Sequence, residues 1–283
     1  MLPQLTAIQP GPAPPALESL EAGSVSVWYD PTGAVCAYGY ARAGQYHIHV
    51  PEVASFQFSH RAAGVTATTR PRVAPALIQD VYRRLALPLI LQALGTEVLH
   101  ASAVLTREGV LAFCAVSGTG KSTLAYALSR QGHRLWADDA VPWELTGPGV
   151  QALPLPFALR LRPATAAFFP PAPDGPPGET GSSSAGPPAR LAGLCVLRRV
   201  PGAETTVQLT RLTPAAAFPL VLAHAECFTL HDLARKRQML ANYLALTTRV
   251  PVWEVAFVPG FDRLAQVVAA VGQAIDTLCG ADG

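Results

Sequence analysis

Residues 115–123 constrain this chain more than any other stretch. They read Ala115-Val116-Ser117-Gly118-Thr119-Gly120-Lys121-Ser122-Thr123, the Walker A pattern with alanine in place of its first glycine. A loop of this kind wraps phosphates with inward-turned backbone N–H groups, so it needs glycines that accept left-handed backbone. Ser117, Gly118, Thr119, Gly120, Lys121, Ser122 and Thr123 are therefore the expected nucleotide-binding residues. Lys121 reaches the β- and γ-phosphates, and the Ser122 hydroxyl holds Mg²⁺. The flanks agree: 109–114 is an apolar, strand-like run, 124–130 favours helix, and Gly132 is a helix stop. This order aims a helix N-terminus at the phosphates of a bound nucleotide. A glycine-serine turn that merely precedes a lysine lacks that context.

Of the 21 cationic side chains only Lys121 and Lys236 are lysines. A chain that otherwise uses arginine keeps lysine where a compact charge on a flexible stem is required. The net charge of +2 argues against a dedicated nucleic-acid binder, and Arg235-Lys236-Arg237 reads as a solvated helix face. Half the residues are hydrophobic, so the chain folds around a real core. Five scattered cysteines (Cys36, Cys114, Cys195, Cys227, Cys279) contain no CxxC pair. They point to reduced thiols in the cytoplasm rather than to disulfides or zinc. No signal peptide is visible, and the apolar run 85–94 is far short of the ~20 residues of a membrane span, so no membrane partner is expected.

The predicted fold class is α/β, with a small β-rich domain before the phosphate-loop core. Residues 1–16 are proline-rich and read as a loose tail. Residues 17–75 form the β-rich domain, with alternating runs at 24–29, 34–40 and 46–50 around the Asp30-Pro31-Thr32-Gly33 turn. His47 and His49 share a strand face and, without a third ligand, read as a surface pair rather than a metal site. Residues 76–283 form the second domain. Helix is expected over 79–95, 214–224, 231–247 and 261–279, and strand over 97–105, 133–137, 192–198, 206–212 and 252–258. Residues 163–190 carry eight prolines and a Gly-Ser-Ser-Ser segment, so they read as a long irregular loop, either an active-site lid or an insertion without function.

A phosphate loop alone implies only a nucleoside triphosphate. Asp138 and Asp139 lie 17 and 18 residues after Lys121 at a strand end, where open α/β sheets bind ligands. One carboxylate suits Mg²⁺ and the other the proton of an incoming hydroxyl. His100 lies 21 residues before Lys121, in the strand that pairs with the one feeding the loop. A lone histidine in such an apolar strand is otherwise a core residue. Arg160 and Arg162, two apart on an expected strand, share a face as candidate phosphate clamps or as a solvated edge pair.

Together these residues resemble the HPr kinase/phosphorylase family over residues 97–145. The resemblance rests on Leu99-His100-Ala101-Ser102-Ala103-Val104, the loop from Val116 to Thr123, and Gly132-His133-Arg134-Leu135-Trp136-Ala137-Asp138-Asp139. It implies the P-loop fold shared with phosphoenolpyruvate carboxykinase. Asp138 would be the base that deprotonates a seryl hydroxyl, Asp139 and Ser122 the Mg²⁺ holders, and His100 a neighbour of the transferred phosphoryl group, giving Asp138, His100 and Lys121 as catalytic residues. Ala101, Ala115 and Val116 depart from that family. The Arg-Gly-Leu/Met-Gly signature is absent, with Pro156-Phe157-Ala158-Leu159-Arg160-Leu161-Arg162-Pro163 in its region and no glutamate between Glu144 and Glu179. The resemblance thus carries neither phosphorylase activity nor HPr as substrate. The chain is also similar to HPr-kinase-related proteins, including lasso-peptide tailoring kinases, which implies a peptide or small-protein hydroxyl as acceptor. Related kinases assemble into rings, so a homo-oligomer is compatible with the resemblance. A small-molecule kinase and a nucleotide-binding regulatory protein without transfer activity are the alternatives the residues leave open.

Overall fold

The computed structural model describes residues 2–12, 14–21, 25–30, 32–42, 44–147, 149–170, 186–202, 207–228 and 232–279. The chain is mixed α/β and divides into two units, Met1–Thr96 with Glu226–Gln238, and Glu97–Ala225 with Met239–Gly283. Among the described residues no helix is long and apolar enough to cross a membrane.

The first unit holds a six-stranded sheet. Its strands are β1 (Gln4–Pro10), β2 (Val25–Tyr29), β3 (Val35–Arg42), β4 (Gln45–Val50), β5 (Ala54–Ser59) and β6 (Ala62–Thr69), ordered β1-β6-β5-β4-β3-β2. Strands β2 to β6 are an antiparallel meander, while β1 runs parallel to β6. The expected loose tail is therefore corrected over Gln4–Pro10. An edge strand bonds on one side only and tolerates prolines at its ends. Its side chains are almost all exposed, so no hydrophobic alternation marks it. Tyr82 and Tyr38 donate hydroxyl hydrogen bonds to the carbonyls of Pro3 (2.7 Å) and Pro15 (2.6 Å), which tie the segment down.

Helix α1 (Pro75–Val81), a π-helical turn at Tyr82–Ala86 and α2 (Leu87–Ala93) follow. The π turn precedes Pro88, which has no N–H to close an α-helical bond to Arg84. The unit boundary falls after Thr96 rather than after residue 75, because these helices bury Ile78 and Tyr82 and set Tyr82 5.7 Å from Phe56. Phe228 belongs here too: its ring meets Trp28, Tyr46 and Phe58, and its backbone bonds Ser26 and Gln92. His47 and His49 are cross-strand partners of Tyr40 and Tyr38, with ring centroids 4.8 and 4.9 Å apart. No group of three metal-ligating side chains occurs among the described residues.

The second unit holds β7 (Glu97–Leu99), β8 (Ala101–Leu105), β9 (Val110–Cys114), β10 (Arg134–Ala137), β11 (Val141–Thr146), β12 (Gly149–Ala152), β13 (Ala189–Arg199), β14 (Gln208–Arg211) and β15 (Val252–Phe257). One path runs β10-β8-β9-β13-β12-β11-β7, and β15 joins β13 to β14. Helices α3 (Lys121–Ser129), α4 (Pro163–Phe168), α5 (Pro214–Leu222), α6 (Leu233–Arg249) and α7 (Leu264–Cys279) complete the chain. The core gathers Leu111 and Phe113 from β9, Leu124, Ala125 and Leu128 from α3, and Val267, Val271 and Ala274 from α7. These α3 and α7 residues recur at helical spacing, so each helix turns one apolar face into the core. Cys114 and Cys195 lie buried in neighbouring strands as free thiols, and burial pushes the Cys114 thiol up to about 12.

Gly109 closes the β8–β9 hairpin. Its φ of +128° suits glycine, and a Cβ there would overlap the Arg190 carbonyl oxygen. Gly109→Ala is expected to cost about 2 kcal/mol of stability, measured from the denaturant midpoint. An unchanged midpoint would contradict the close approach of these two backbones.

Two further expectations change. The continuous strand over 97–105 is broken at His100: β7 pairs with β11, whereas β8 pairs with β9 and β10. The segment carrying Arg160 and Arg162, expected as a strand, instead lies outside any sheet or helix and is followed directly by α4 inside the stretch read as an irregular loop. Residues 171–185 of that stretch lie outside the described residues.

Candidate functional site

The hairpin register decides what surrounds the glycine loop. Strand β8 runs antiparallel to β9 with Ala101 opposite Cys114, so the residues just before β8 lie at the end of β9 where the loop begins. Strand β10 is antiparallel to β8, which returns its carboxyl end to the same edge. A register shift between Leu135 and Ala137 leaves Trp136 as the extra residue and sets Ala137 opposite Ala103. Asp138 and Ser102 thereby meet: the Ser102 hydroxyl donates to Asp138 Oδ1 at 2.7 Å.

Within the loop, Gly118 and Gly120 have φ of +83° and +123°, flanking Thr119 in the alternation that a phosphate nest requires. Helix α3 starts at Lys121 with Gly120 as its N-cap. It ends near Gly132, whose φ is +98°, while the His133 N–H returns to the Leu128 carbonyl at 3.3 Å. The Val116 side chain is 71% exposed at the loop's entry.

Lys121 is only 6% exposed. Its Nζ donates to the Ala115 carbonyl at 2.8 Å and lies 3.1 Å from His100 Nε2. An ammonium carries donors only, so in this contact His100 Nε2 is the acceptor. The backbone of His100 bonds outside the ladder, its N–H donating to the His224 carbonyl at 2.7 Å, beside the Leu99–Ala225 bridge. Burial first, then the charge of Lys121, push the His224 imidazole down to about 4, which keeps it neutral at pH 7.

Asp138 is 8% exposed and accepts a second hydroxyl, Ser122 Oγ, on Oδ1 at 2.7 Å, while the Arg160 N–H approaches Oδ2 at 3.4 Å. Burial first, then the charge of Asp139, raise the Asp138 carboxyl above the usual carboxylate range. The three hydrogen bonds oppose that shift. Asp139 turns the chain with φ +68°, a region aspartate tolerates better than most side chains. The hydroxyl expected to share a cation with Asp139 is thus hydrogen bonded to Asp138.

The structure brings His100, Lys121, Ser122 and Asp138 together. Thr123 approaches Thr165 of α4 at 3.4 Å between hydroxyls. The Arg162 guanidinium lies beside Gly118, with Nη2 3.2 Å from where a Cβ would stand. Arg160 meets the site through its backbone. Sequence reasoning missed Ser102, His224 and Arg199. Ser102 had a signal, since it lies two residues after His100 in an alternating run; His224 and Arg199 had none. In a dry, low-dielectric setting this constellation can bind a polyanion through a lysine and a nest. Beside them it presents a carboxylate that receives O–H donors.

No protein-family model matches the chain, and no curated protein matches it in sequence. Among solved structures, the Hpr(Ser) kinase/phosphatase from Coxiella burnetii is similar at 12% identity with a TM-score of 0.34, over 64% of this chain and 97% of that one. At that distance the neighbour decides neither activity nor substrate.

Proposed function

We propose that the chain is a Mg²⁺- and ATP-dependent kinase that transfers the γ-phosphoryl group to a hydroxyl, expected to be a serine, of a peptide or small protein. One observation carries this reading. Ser122, which directly follows Lys121, is hydrogen bonded at 2.7 Å to Asp138, so a loop hydroxyl and a strand-end carboxylate meet. Nucleotide binding alone needs only the loop, whereas phosphoryl transfer needs a cation anchor and a proton acceptor beside it.

The residues fit Mg²⁺, which takes one or two carboxylates and completes its shell from water and phosphate oxygens rather than from an all-protein cage. Ser122 and Asp139 would hold it, and when bound it neutralises charge on the β- and γ-phosphates. Lys121 binds the phosphates, and His100 holds the ammonium at the loop by accepting from it. Asp138 takes the acceptor's proton as the hydroxyl oxygen bonds to phosphorus and the bond to the ADP oxygen breaks. Its raised affinity for a proton suits that task, and the two serine hydroxyls at 2.7 Å mark it as an acceptor of O–H donors. The peptide acceptor rests on the similarity to HPr-kinase-related proteins, including lasso-peptide tailoring kinases, carried by the run 100–104, the loop 117–123 and Asp138-Asp139.

The test is transfer from γ-labelled ATP with Mg²⁺ to a pool of serine-containing peptides. Label on a peptide, located to a seryl oxygen, is the expected result. Label on a metabolite pool instead would make the acceptor a small molecule. Nucleotide binding without transfer to either pool would make the chain a regulatory nucleotide-binding protein.

A further inference from the structure

Arg198 and Arg199 end β13 and, by strand alternation, project to opposite faces. Arg198 pairs with Glu254 on the neighbouring strand β15, with bonds of 2.8 and 2.9 Å. Arg199 instead reaches the glycine loop, 80 residues earlier in the chain. Its Nη2 donates to the Gly118 carbonyl at 2.5 Å and its Nε to the Thr119 carbonyl at 3.3 Å. This is possible because β13 runs parallel to β9, which sets the last residue of β13 at the sheet edge where the loop leaves β9. On another side of the same glycine stands the Arg162 guanidinium.

We propose that Arg199 is a positioning residue that clasps the loop carbonyls so that the Thr119–Gly120 peptide keeps its N–H turned toward bound phosphate. A peptide plane cannot show both its C=O and its N–H to one side. Holding the carbonyls of Gly118 and Thr119 in a two-donor fork fixes the planes on either side of Thr119. The Thr119 N–H is itself taken by the Val116 carbonyl at 3.2 Å, so the N–H that the fork aims at phosphate is that of Gly120. Ordering these planes before the ligand arrives removes part of the entropy cost of binding. An arginine suits the task because its rigid fork serves two acceptors, where a lysine offers a single point charge. The inference rests on the phosphate-loop reading and adds the residue that preorganises it.

The test is the affinity of wild type, Arg199→Ala, Arg199→Lys and Arg198→Ala for ATP and for ADP, each with Mg²⁺, by calorimetry. Melting of each unliganded variant serves as a control on folding. Arg199→Ala is expected to weaken ATP and ADP alike, by about tenfold or more, with unliganded melting unchanged. Arg199→Lys should recover only part of the loss, and Arg198→Ala should bind as wild type does. Faster amide exchange across 117–121 in unliganded Arg199→Ala should accompany the loss. Wild-type affinity in Arg199→Ala overturns the clasp while leaving the phosphate-loop reading intact. A loss confined to ATP also overturns it, since that would make Arg199 a direct γ-phosphate ligand. No binding of either nucleotide by wild type overturns both.

Discussion

Lys121→Ala is expected to abolish the thermal stabilisation that Mg²⁺ and ATP confer on this chain. At nucleotide concentrations near 100 times the dissociation constant, wild type gains about 2.7 kcal/mol from binding, and the variant should gain none. Lys121 is 6% exposed and its ammonium is held between the Ala115 carbonyl and His100 Nε2, so it is delivered to the loop rather than left to sample solvent. No other lysine lies in the second unit, and the arginines that approach the loop contact it at Gly118 and Thr119 rather than at its lysine end. Neighbouring cations therefore cannot replace the lost charge at that point. Melting curves with and without nucleotide, for wild type and variant, provide the measurement. A shift of wild-type size in Lys121→Ala would sink the assignment of residues 115–123 to phosphate binding.

The second large effect is on Asp138. Asp138→Asn should reduce phosphoryl transfer by about a hundredfold or more, while ATP affinity changes only a few-fold. The amide keeps the shape of the carboxylate and can still accept from Ser102 and Ser122, but it cannot take up a proton. The pH dependence gives an independent check. Burial and the neighbouring charge of Asp139 raise the Asp138 carboxyl above its ordinary value of 3.8. The deprotonated form is the base, so the rate should climb with pH through a value above the ordinary carboxylate range. That acid limb should be missing from the residual activity of the asparagine variant. Stability moves the opposite way. Between 3.8 and the raised value the folded chain holds a proton that the unfolded chain has lost, so stability falls as pH rises through that window. In Asp138→Asn that slope should vanish. A fully active Asp138→Asn enzyme would remove the base from the mechanism, and an unshifted acid limb would show that another group sets it.

Much of the local chemistry is legible in the chain itself, because it is encoded within short stretches. The glycines at 118 and 120 must take positive φ, Lys121 begins the helix, Gly132 lets the chain leave it, and Asp138-Asp139 ends the strand. Each follows from spacing and backbone permissiveness over a few residues. The hairpin from Ala101 to Cys114 is equally local, since the Thr106-Arg107-Glu108-Gly109 turn joins two short, largely apolar runs. Expectations failed where the deciding partner is remote. Apolar periodicity continues through 97–105, yet the strand breaks at His100 because its N–H finds the His224 carbonyl instead of a ladder partner. The proline-rich start is a strand because β6 supplies an edge, and its exposed side chains carry no pattern that could announce it.

The sequence by itself determined a mixed α/β chain with a glycine loop between strand and helix, and two aspartates at the end of the next strand. These features obey the covalent geometry and periodicity of nearby residues. Only the tertiary structure decided that Ser122 bonds Asp138, that His224 and Ser102 join the site, and that Arg199 holds the loop carbonyls. It also decided that Phe228 returns to the first unit to bond Gln92, 136 residues away in the chain. Such contacts depend on strand register and on which helix end reaches a given edge of the sheet. Those are settled by packing of the whole core, for which no short run of residues carries a signal.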